Sequence, residues 1–169
     1  MTATYEPIGT PQTVSGSSTN SITFSGVSSA YTDLVAVMNV GATSGSVTGF
    51  GMRFNSDTGT NYSDTRIDGD GTSATSARGS TQARILQCSF ALPETASVYA
   101  PVITQIFNYS NTTTFKSTLT RSNSASTALQ AVAGIWRATP VAITSVTFFT
   151  FAGNFSSGST FALYGIKAE

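Results

Sequence analysis

Apolar and polar positions alternate with a period of two along most of this chain, and the helical period is missing almost everywhere. Leu34-Val35-Ala36-Val37-Met38-Asn39-Val40 reads as a strand that is apolar on both faces over part of its length. Phe50-Gly51-Met52-Arg53-Phe54 places Phe50, Met52 and Phe54 on one face. Val102 to Tyr109 is a further strand, followed by Phe115 to Arg121, which sets Phe115, Ser117, Leu119 and Arg121 together. Ala131 to Arg137, Ile143 to Phe151 and Thr160 to Ile166 complete the run. Between them lie Asn, Asp, Gly and Ser, the residues of turns: 55–61, 68–71, 108–111 and 153–158. Strands punctuated this often predict a two-sheet antiparallel sandwich, jelly-roll-like, of about eight to ten strands.

Some stretches depart from this rhythm. Residues 1–20 hold Pro7 and Pro11 and then a small polar run, which predicts an extended N-terminal arm or an edge strand; residues 21–169 form the sandwich domain. Gly71 to Gly79 reads as a polar loop with an exposed, mobile tip. Ser126 to Ala133 fits a helical template, but Gly134-Ile135-Trp136 after it favours a strand. No run approaches the length of a membrane-spanning helix, and the first residues lack the basic and apolar stretches of a signal peptide.

Composition sharpens the picture. Of 169 residues only 9% are charged, eight acids against eight bases. Ser and Thr take up the polar positions, and Glu and Lys, the best surface residues for helices, are scarce. Arg53, Arg66, Arg78, Arg84, Arg121 and Arg137 are scattered singly, so the basic stripe of a nucleic-acid binder is missing. Zero net charge weakens self-repulsion and permits close packing of like copies. Cys88 is the single cysteine and lies in the apolar run Ile85 to Phe90, as a small buried hydrophobe does.

Candidate chemistry is sparse. The chain has no His, which removes the usual general base and zinc ligand, and no phosphate-binding glycine loop is present. No cofactor is expected, and an enzyme is not. Asp57, Asp64, Asp68 and Asp70 fall close together. Asp68 and Asp70 are weak Ca²⁺ candidates, and a glycoside hydrolase would need a facing pair of carboxylates. The plainer reading is that these acids shape turns. Tyr31, Tyr62, Tyr99, Tyr109 and Trp136 offer either a sugar-stacking platform or core aromatics. Tyr62, Tyr109 and Asn111 lie beside turns and are the candidates for surface contact.

Several segments together resemble a group of small tailed-phage virion proteins. They are Ile22 to Val27, Tyr31-Thr32-Asp33-Leu34-Val35, Arg53 to Ser63, Asn108 to Asn111, Gly134 to Arg137, Ile143 to Val146 and the ending Gly158 to Lys167. The most specific are Arg53-Phe54-Asn55-Ser56-Asp57-Thr58-Gly59, in which Gly59 is expected to supply a positive φ, and Leu163-Tyr164-Gly165-Ile166-Lys167. Gly165 is expected to admit a neighbouring backbone or a bulge.

The resemblance implies a β-sandwich on the virion surface, made in the host cytoplasm. The leading expectation is a capsid decoration (cement) protein, a homotrimer bound to the phage major capsid protein, with no nucleic-acid or membrane partner. The alternative is a tail-fibre or spike module that binds a host glycan, although the chain carries no coiled-coil heptads for a shaft.

Overall fold

The computed structural model describes residues 4–43, 49–95, 97–124 and 128–167, and among them are thirteen strands and no helix. They are β1 (Tyr5–Pro7), β2 (Gln12–Thr13), β3 (Ser21–Ser25), β4 (Asp33–Val40), β5 (Phe50–Phe54), β6 (Tyr62–Gly69), β7 (Ala74–Gln82), β8 (Ile85–Cys88), β9 (Ala100–Phe107), β10 (Lys116–Ser124), β11 (Ala128–Trp136), β12 (Ser145–Thr150) and β13 (Thr160–Ile166). All pairings are antiparallel. One sheet has nine strands, in the order β1-β13-β4-β9-β10-β11-β6-β7 with β2 also on β13; the other has four, β3-β12-β5-β8. No helix of the described residues is long and apolar enough to cross a membrane.

The order is that of a jelly roll with one strand enlarged. In an eight-stranded jelly roll the first, eighth, third and sixth strands form one sheet, and the second, seventh, fourth and fifth form the other. Here β3, β12, β5 and β8 supply the first set, and β4, β6 and β7 take the second, fourth and fifth places. The seventh place is filled by the meander β9-β10-β11. Three strands keep the direction that one would have, so both flanking pairs, β4–β9 and β11–β6, remain antiparallel. β13 and the N-terminal strands extend the same sheet beyond β4.

The alternation seen in the sequence decides which side chains fill the interior. Phe50, Met52 and Phe54 of β5 are fully buried, as are Phe148 of β12 and Phe161 of β13. Phe155 joins the two sheets, with ring centroids 5.0 Å from Phe161 and 5.8 Å from Phe50. Each such side chain contributes about 1.5–3 kcal/mol by leaving water. Residues 4–20 do not stand away from the body: β1 is an edge strand of the large sheet, and Ile8 and Val14 enter the core. Cys88 is also inside. Beneath the meander the inward row turns polar, with Thr104, Thr118, Thr120, Ser122 and Gln130 all buried opposite Gln87 of β8.

Several local expectations are corrected. The stretch Gly71 to Gly79 is not a loop: β7 occupies most of it. Ser126 and Thr127 lie outside the described residues, and from Ala128 onward the segment is strand β11, so here the favoured strand reading holds. In the turn after β5, Gly59 does not supply the positive φ. Asn55 and Ser56 do, at 51° and 56°, closed by the Asp57 N–H donating to the Phe54 carbonyl at 2.9 Å. Two successive left-handed residues make a type I′ turn, in which Asn is favoured at no great steric cost. Gly59 is small for another reason: a Cβ there would lie 2.8 Å from Asn61 Nδ2. Gly165 meets a ring rather than a backbone, since a Cβ would fall 2.2 Å from Cγ of Tyr31.

Candidate adhesion surface

The predicted contact residues are not at the surface, with one partial exception. Tyr62 and Tyr109 are fully buried, because each aromatic body fills the core while its hydroxyl reaches backbone at a turn. The Tyr62 hydroxyl accepts from Phe54 N–H at 3.1 Å and donates to the Asp57 carbonyl at 3.1 Å. Burial pushes its titration up to about 12. Tyr109 donates to the Ser28 carbonyl. Asn111 is half-buried and engaged by its own turn, accepting from Thr113 and Thr114 N–H at 2.7 and 2.8 Å. Tyr62 and Trp136 do stack, at 6.2 Å and 17°, but inside the core, while Tyr31 lies over Gly165 and Tyr99 bonds Ser157. The five aromatics form no shared platform.

The acids are likewise dispersed. Asp57 and Asp70 shape turns, as expected. Asp57 accepts from Gly59 N–H at 2.8 Å, and Asp70 from Thr72 and Ser73 N–H at 2.8 and 2.7 Å. Asp64 and Asp68 instead sit within β6. The two Ca²⁺ candidates do not converge: Asp68 is engaged by Arg66 Nε at 2.9 Å and by Gln130 Nε2, and Asp70 by its own turn. Among the described residues no three metal-ligating side chains cluster.

Asp64 lines a cleft of about 290 Å³ beneath β6 and β7, with Arg66, Gln82, Arg84, Ser89 and Phe151. Burial raises its pKa, opposed by the Leu86 N–H bond at 3.1 Å and by the nearby Arg84 and Arg66. Arg84 is held in place by Gln82 at 2.8 Å and by the face of Phe151 at 4.2 Å. Asp64 is the one carboxyl in the lining, half of the pair that glycoside hydrolysis needs.

The most extensive feature is the outer face of the nine-stranded sheet. Inward residues alternate with outward ones, and the registers bring the outward ones into rows. One row runs Tyr164, Val35, Gln105, Leu119, Ala133, Thr65; the next runs Ala162, Val37, Ile103, Arg121, Ala131, Ile67. Phe107 and Ile135 flank one side, Pro101 and Leu129 the other. Ile67 and Leu129 are each 61% exposed. Strand spacing and rise give this face, from β13 to β6, an extent on the order of 500 Å². Gln105, Thr65 and Arg121 interrupt its apolar members, so the contiguous apolar area is smaller than the whole face.

Toward one side of the face a shallow apolar hollow of about 190 Å³ lies between Pro101, Ile103 and Leu129, bordered by Arg121 and Asn123. Arg121 forms no ion pair among the described residues. Sequence reasoning sets Leu119 and Arg121 on one face but gives no sign that five other strands continue it, because that depends on pairing between segments far apart in the chain. Comparison with family models, with characterised proteins and with solved structures returned no match.

Proposed function

We propose that this chain is a structural component of a phage virion that decorates the capsid, lying with the open face of its nine-stranded sheet against the major capsid protein. The observation that carries this reading is the breadth of that face: open, largely apolar and poor in charge, with Arg121 on it, which forms no ion pair among the described residues. An interface of ordinary size buries about 800 Å² on each partner, which this face and its rim approach. The hollow beside Arg121 suits an apolar side chain next to a carboxylate. Copies repeated by the symmetry of a shell, as trimers at its three-fold positions, hold through the sum of many such contacts. The segments that resemble tailed-phage virion proteins support the same reading.

Two measurements test it. Quantitative mass spectrometry of intact particles should give hundreds of copies of the chain per particle, and imaging should place them on the shell. A handful of copies, or a signal confined to the tail, rejects the decoration role. In addition, Leu119→Asp and Ile67→Asp should each weaken binding to shells stripped of the protein by about tenfold or more while leaving the fold intact.

The tail-fibre alternative draws on the polar cleft around Asp64, Arg66, Gln82 and Arg84, whose donors and acceptors match sugar hydroxyls. A glycan array read with the wild type and with Arg84→Ala decides it. No binding, or binding indifferent to the substitution, removes that role from the cleft.

A further inference from the structure

β7 forms one rim of the nine-stranded sheet and, among the described residues, is bonded to β6 alone. It is nine residues long, and none of them is buried. Strands usually owe their conformation to a packed face, and a pair of strands with both faces in water is marginal by itself. Natural edges of this length are blunted by proline, lysine, bulges or an inward charge. β7 has no proline and a single charge, Arg78, and its bulge lies at its far end, opposite Tyr62 and Asp64. The other rims are managed. β1 spans three residues and ends at Pro7, the β3 carbonyl of Thr23 is capped by the Gln12 side chain at 3.0 Å, and β8 is short and wholly buried.

We infer that β7 is an interaction surface for a second copy of this chain, pairing antiparallel with its counterpart across a two-fold axis so that the two large sheets become one. The sequence of the strand favours itself as partner: small or β-branched residues, no acid to repel or attract, and one charge whose placement fixes the register. A two-fold axis sets one residue opposite its own copy. Centred on Arg78 it would oppose two guanidinium groups, which destabilises a strand pair. Centred on Gly79 it would recruit Thr81, whose φ of 57° departs from the extended conformation. Centred on Ala77 it pairs Ala74 with Ser80, Thr75 with Gly79 and Ser76 with Arg78. That is the longest ladder free of both faults. The pairing depends on β7 only, whatever the sheet face adheres to.

The test uses the full chain. Ala77→Cys should cross-link to a covalent dimer under mild oxidation, whereas Ala74→Cys alone should not; mixed with Ser80→Cys it should. Cys88 is buried and stays silent in these reactions. Sedimentation of the wild type should show concentration-dependent pairing, weakened about tenfold or more by Thr75→Lys with Ala77→Lys at an unchanged circular dichroism spectrum. A wild type that neither pairs in sedimentation nor cross-links through Ala77→Cys overturns the inference. So does pairing that ignores the lysines, or equal cross-linking of the Ala74→Cys and Ala77→Cys chains.

Discussion

Asp57 gathers three donors, Trp136 Nε1 at 2.7 Å, Asn61 Nδ2 at 2.9 Å and Gly59 N–H at 2.8 Å. Partial burial alone would raise its pKa, but these bonds, with Arg53 nearby, carry it below the usual carboxylate value. A carboxyl depressed in the fold adds stability above its unfolded pKa, about 3.9, and loses that contribution as pH falls through the folded value. Asp57→Asn should therefore cost about 1–2 kcal/mol at neutral pH, and its thermal melts should fall less steeply than the wild type's below about pH 4. Thr118 presents the opposite case. Its buried hydroxyl, like that of Ser122, has no hydrogen-bond partner among the described residues. Thr118→Val keeps the shape and removes the orphan group, so chemical denaturation should show a gain of about 1 kcal/mol. The Cys88 thiol, raised by burial to about 12, should ignore a thiol reagent in the native protein and react fully once denatured.

On the scale of strands, β13 shows how one small residue shapes a neighbour. Its inward row is Phe161, Leu163, Gly165, and Tyr31 lies where the third side chain would be. Gly165→Ala should displace that ring and lower stability by about 1–3 kcal/mol in urea titration. Combining it with Tyr31→Ala should cost less than the sum of the two, because both changes remove the same contact. The strands that the sequence announces, β4, β5, β9, β10, β11, β12 and β13, each have a face against the core, for burial is what imposes a two-residue rhythm. β7 reads as a loop because neither of its faces packs, so its Ser, Thr and Gly carry no rhythm. Asp64 and Asp68 hide β6 in the same way: acids read as turn formers, yet here each has a donor within reach of the strand. Tyr62 and Tyr109 mislead because proximity to a turn says where the hydroxyl goes and not where the ring lies.

Across the whole molecule, neighbours in space are distant in sequence. Tyr5 pairs with Ile166, and Asp33 on β4 lies beside the same residue. Folding must close these long loops before their contacts repay it, so refolding followed by Trp136 fluorescence should take milliseconds to seconds rather than microseconds. The same wiring explains why the outer face of the large sheet is illegible in the sequence. Its rows draw on β13, β4, β9, β10, β11 and β6, and only the pairing order brings Val37, Ile103 and Ile67 into one plane. The enlarged seventh place of the jelly roll widens that plane by two strands without altering the direction of any other.

The bond from Lys167 N–H to the Thr4 carbonyl closes the ladder of β1 against β13 at the outermost rim. Handles attached at these two residues would draw at right angles to the strands, in line with the cross-strand bonds. The bonds would then break in succession, as a zip opens, instead of resisting together in shear. Tethered by both extremities, the protein should yield to weak tension, peeling from this rim inward; anchored by its broad face, it would meet the same load with every row at once.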